Sequence, residues 1–102
     1  MSTATKTLRC PYCDSDNLHP TSIHVFGRTA KDSDIGIVAS TLLRDRNCVP
    51  RTNVQPLTGQ SRNPSSTGDG IRLLFECDGC SDIPTLILYE HKGLAFQEWE
   101  TN

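Results

Sequence analysis

The chain alternates between segments of strand-like periodicity and polar, turn-rich stretches. Residues 21–26, Thr-Ser-Ile-His-Val-Phe, are rich in β-branched side chains and alternate in the manner of a strand. Ile71, Leu73, Phe75 and Cys77 alternate with Arg72, Leu74 and Glu76, which predicts a second strand. Residues 85–89, Thr-Leu-Ile-Leu-Tyr, form a third, and His91, Lys92 and Gly93 supply a turn that returns residues 94–99 as its hairpin partner. Residues 35–40 read as a strand, and residues 39–46 read alternatively as a short helix. From Arg44 to Asp69 the composition changes. Residues 61–70 lack periodicity and large apolar side chains, and predict a mobile loop.

The hairpin pattern poses a packing problem. Leu86 and Leu88 point to one side of their strand, and Ile87 and Tyr89 to the other. A small sheet with apolar groups on both faces needs cover on both. The candidates are residues 35–43 or another protein.

A chain of 102 residues with 35% apolar and 6% aromatic positions makes one domain with a modest core, and such domains often need a staple. Residues 1–9 lack an apolar signal core, and no apolar run approaches the length of a membrane span. The expected location is the cytoplasm, with no membrane association. In a reducing compartment paired cysteines read as metal ligands rather than disulfides. Cys10-Pro-Tyr-Cys13 and Cys77-Asp-Gly-Cys80 each place two thiolates on one tight turn. Pro11 stiffens the first turn, and Gly79 is expected to permit unusual backbone angles in the second. Together the pairs complete a four-sulfur tetrahedral shell, the preferred environment of one structural Zn2+.

Cys-Pro-Tyr-Cys is also a thiol oxidoreductase motif. Such a motif places its first cysteine at a helix N-terminus. Here residues 14–20, Asp-Ser-Asp-Asn-Leu-His-Pro, favour turns, and Pro20 would stop a helix. That reading also leaves Cys77 and Cys80 without a role.

The two cysteine pairs, with residues 85–99 behind them, resemble the zinc-ribbon superfamily. The tail of residues 90–99 also resembles small zinc-ribbon proteins of phage and prophage genomes. The resemblance implies a mainly β fold: a zinc ribbon with a small antiparallel sheet and a long, partly mobile insertion at about 27–70. It implies structural zinc and leaves function open. Two departures stand out. Asp14 and Ser81 occupy places where many ribbons carry glycine, and 63 residues separate Cys13 from Cys77.

The formal net charge is −2, and a zinc ion on four thiolates takes it to about −4. A general nucleic-acid binder is usually basic. The charge is uneven, however. Residues 27–68 carry six Arg or Lys against three Asp, and residues 69–102 carry two against seven acids. Arg44, Arg46, Arg51 and Arg62 therefore form a basic stretch beside an acidic ribbon, a candidate contact arm for phosphate or an acidic protein surface. Cys48 stands apart from the pairs, and His19, His24 and His91 are scattered. A filled sulfur shell leaves no open position for water, and no phosphate-cradling glycine loop or serine–histidine motif is present. The expectation is a non-enzymatic protein-interaction module, monomeric or homodimeric, and the tail resemblance implies one that is phage-encoded and aimed at a host machine. The alternative is a nucleic-acid-binding ribbon that uses the arginine segment.

Overall fold

The computed structural model describes residues 6–43 and 51–100, and every regular element among them is a β-strand. The strands are β1 (Leu18–Arg28), β2 (Ile35–Leu42), β3 (Arg51–Thr58), β4 (Gly70–Cys77), β5 (Thr85–His91) and β6 (Leu94–Glu100). They form one antiparallel sheet in the order β3-β2-β1-β4-β5-β6. Two three-stranded meanders, β1-β2-β3 and β4-β5-β6, are thus joined edge to edge by the β1–β4 pairing. The mainly β expectation holds, and residues 35–42 are strand rather than helix.

Two expectations about the insertion are corrected. Residues 51–58 are not loop: they pair along their full length with β2 as an edge strand. Pro56 fits there because β3 has a neighbour on one side only, so a missing N–H leaves no second ladder broken. Residues 59–69 are not a free loop either. They fold back over one face of the sheet, where a methyl group placed on Gly70 would run into Asn63 and Pro64. The Arg28 guanidinium donates to the carbonyls of Ser33 (2.7 Å), Gly68 (2.8 Å) and Ser65 (2.9 Å). Asn63 donates to Gly68 O (2.9 Å) and accepts from Ser65 N (2.9 Å). Small polar side chains order this loop through hydrogen bonds, a mechanism that hydrophobic periodicity does not register.

The cross-strand registers separate the two faces. On the covered face, Val38, Phe26 and Gly70 lie in one row that continues to Tyr89 and Phe96, with Ile87 on the same side. Phe26, Val38 and Ile87 are buried, and the Tyr89 and Phe96 rings stack at 5.5 Å. On the other face, Phe75, Leu86 and Trp99 make a smaller core near the cysteines, with the Phe75 and Trp99 rings edge-to-face at 5.8 Å. The rest of that face is open. Ile35 (59% exposed), Ile37 (52%), Val54 (60%) and Val25 (40%) project from it. Residues 35–42 do not cover an apolar face as expected, because they lie within the sheet and extend it.

Hairpin chemistry follows the expected form. The β5–β6 turn has Lys92 at φ 53° and Gly93 at φ 78°, both left-handed, the pattern of a two-residue turn whose twist matches its strands. Glycine at the second position takes that conformation without steric cost.

Candidate metal centre

The β1–β4 register assembles the cysteines. Leu18, at the start of β1, pairs with Cys77 at the end of β4. The turn preceding β1 carries Cys10 and Cys13, and the turn leaving β4 carries Cys77 and Cys80. Antiparallel pairing therefore brings two turns 64 to 70 residues apart to one corner of the sheet. The Asp78 N–H donates to Asn17 O (3.1 Å), and His19 Nε2 meets Asp78 Oδ2 at 2.9 Å, so the turns are clasped outside the sulfur cluster as well.

All four sulfurs lie within 4.8 Å of one another and form a group that can hold a metal ion. The Cys10–Cys80 and Cys13–Cys77 Sγ separations are 3.7 and 3.5 Å. A tetrahedron with metal–sulfur bonds of about 2.3 Å has sulfur–sulfur edges of about 3.8 Å, so these separations fit a four-sulfur shell. The two turns are built alike. Tyr12 N–H donates to Cys10 Sγ and Gly79 N–H to Cys77 Sγ, each at 3.4 Å and each from two residues on. Donors aimed at sulfur favour its anionic form, the form that binds a metal.

Without a cation the cluster resists full ionisation. Burial raises the Cys10 thiol, but hydrogen bonds from the backbone of Tyr12 and Cys13 and from neighbouring cysteine side chains outweigh it and lower it to about 7. At Cys80 a backbone hydrogen bond from Asp82 works downward, but burial and the three other cysteines push it up to about 12. Cys13 is also raised: burial and the Cys77 and Cys10 side chains outweigh a lowering hydrogen bond from the Ser15 backbone. Four sulfurs this close cannot all carry charge unless a cation sits among them.

Two residues around the centre have roles the sequence did not disclose. Asp14 takes the left-handed conformation at φ 64°, which among residues with a side chain Asn and Asp tolerate best. Gly79 does not adopt a positive φ, contrary to expectation. Its lack of a side chain serves another purpose: a Cβ there would lie 2.9 Å from Cys13 Sγ and 2.9 Å from Ser15 Cβ. Glycine lets the second turn approach the first. A C-x-x-C spacing reports that two sulfurs converge, but this contact is between turns and has no local signature.

The Cys10–Cys13 turn leads into strand β1 rather than a helix, so the helix N-terminus a redox pair would need is not there. Of the candidate contact residues, Arg44 and Arg46 lie outside the described residues, as does Cys48. Arg51 begins the edge strand β3 and Arg62 lies on the covering loop, both exposed. Arg51 lines a groove of about 360 Å³ on the covered face with Ser22, His24, Ser40 and Asn53. His24 Nδ1 lies 2.9 Å from Ser40 Oγ. No helix among the described residues is long and apolar enough to cross a membrane. Compared with known proteins, the chain matches no family model, no curated protein and no solved structure.

Proposed function

We propose that the protein is a non-enzymatic, cytoplasmic module of the zinc-ribbon kind, whose structural Zn2+ staples one corner of a sheet that docks against another protein surface. The observation that carries this reading is the open face. Across six strands its side chains include a single charged residue, Glu90, whereas the covered face carries Arg28, Arg51, Arg72, Glu76, Glu98 and Glu100. Large uncharged apolar patches on small proteins mark interaction sites. Four sulfur ligands would leave zinc no position for water, which favours a structural over a hydrolytic ion. The test is a binding comparison between wild-type protein and Val25→Asp, both zinc-loaded. Loss of partner binding in a folded Val25→Asp variant supports the reading. Equal binding refutes it.

A second reading has its own observation. His24, which lines the groove on the covered face with Arg51, also feels the charges of Arg72, itself paired with Glu100 at 2.6 Å, and of Arg62. Cations around a polar groove suit phosphate, so nucleic acid is the alternative partner. Binding that weakens steeply with salt and is lost in Arg62→Ala favours it.

A further inference from the structure

The strongest unassigned feature is the open face itself, and its chemistry narrows what covers it. Three rows of side chains cross it. Val54, Ala39, Val25, Ile71 and Leu88 make an unbroken apolar row over five strands. Pro56 and Ile37 flank that row on one side, and Ile23 and Leu73 on the other. A shallow groove of about 280 Å³ runs between Val25, Ile71, Leu88 and Ala95, with Asp69 and Glu90 also in its lining. Glu90 stands at the corner, next to the β5–β6 turn.

We infer that a second copy of this chain covers the face, the two sheets packing face to face as a β-sandwich across a two-fold axis. This rests on the reading of the open face as a docking surface. Three observations select a second copy. The first is charge: the strands of this face carry no positive group and one acid, Glu90, with the exposed Asp69 beside it at the same edge, so its interior offers nothing for a charged partner to complement, but it is complementary to itself. In an isologous pair both Glu90 side chains stay at the rim, in water. The second is area. Five strands spaced about 4.8 Å apart, each contributing about six residues at about 3.3 Å, give on the order of 500 Å² per copy. The pair then reaches about 1,000 Å², where specific interfaces begin. The third is layering. An apolar sheet face is stable when buried against a second layer, and the covering loop supplies one on the other side only. Two twisted sheets pack about 10 Å apart with strands some 30° from parallel, an arrangement the aliphatic rows suit.

Sedimentation velocity on the zinc-loaded protein, from low micromolar to several hundred micromolar, tests the inference. Ile37→Asp and Val54→Asp place charges on the open face at exposed positions that folding tolerates. Leu94→Asp places one on the opposite face. The expected result is a wild-type dimer whose dissociation constant rises about tenfold or more in Ile37→Asp and Val54→Asp. All variants keep zinc and β-sheet circular dichroism, and Leu94→Asp dimerises as wild type. A dimer that survives Ile37→Asp and Val54→Asp lies elsewhere and overturns the inference. A wild-type monomer that binds a hydrophobic dye, lost in Ile37→Asp, also overturns it, yet leaves the face free for a different protein. A wild-type monomer that binds no dye overturns both the second copy and the docking reading.

Discussion

Ser65 gives the most direct measure of whether the covering loop belongs to the packed domain. It is 1% exposed. Its hydroxyl donates to Glu90 O on β5 at 2.6 Å and accepts from Gly68 N–H at 2.8 Å. Ser65→Ala removes one atom and strands both groups. An unsatisfied buried donor or acceptor costs about 1–3 kcal/mol, so the pair costs about 2–6 kcal/mol. A domain of this size holds about 5–15 kcal/mol, so a large part of its stability depends on a loop without a single large apolar side chain. At about 4–8 °C per kcal/mol, the midpoint should fall by about 8 °C or more. Urea unfolding in excess zinc reads the free energy, and amide hydrogen exchange at Gly68 reads the loop. The neighbouring Ser66 is exposed, and Ser66→Ala should stay within about 0.5 kcal/mol of wild type. If Ser65→Ala matches Ser66→Ala, and the Gly68 amide exchanges as in wild type, the loop is not packed as described.

Three further outcomes are expected. Cys77→Ser removes one of four sulfurs, and metal analysis with circular dichroism should show zinc and sheet lost together, because assembly of the site is folding energy; a folded, zinc-loaded variant refutes the coupling. Gly79→Ala drives a methyl group toward Cys13 Sγ, and competition with a chromogenic chelator should show zinc affinity reduced about 10–100-fold, the usual cost of disturbing the groups around a metal shell; unchanged affinity refutes the steric role. His24 is held below its usual value of 6.5 by burial and by the Arg72 and Arg62 charges. The unfolded chain therefore binds the extra proton first as pH falls below about 6.5, and stability declines until the folded form also protonates. His24→Gln should lose stability less steeply than wild type between neutral and mildly acid pH in zinc-saturated melts, and parallel curves refute the assignment.

Much of this protein is legible in the chain. Period-two alternation marked β1 and β4, because a strand's side chains report their two faces locally, while the apolar run at 85–89 marked β5 and the turn after it marked β6 as its partner. The C-x-x-C spacings marked the four sulfurs, since each pair converges within a single turn. Lys92-Gly93 marked its hairpin by the same kind of local chemistry. The tertiary structure decided what depends on distant neighbours. The Leu18–Cys77 pairing merges two meanders into one sheet and brings the cysteine turns together across more than 60 residues. The 51–58 strand carries five polar residues of eight, and only pairing with β2 makes it a strand. The loop at 59–69 has no periodicity to read because Arg28, Asn63 and Ser65 hold it by hydrogen bonds, whose partners are invisible until the chain has folded. The open face is of the same kind: alternation shows that a strand has two sides, but only the assembled sheet shows which side its own chain leaves bare.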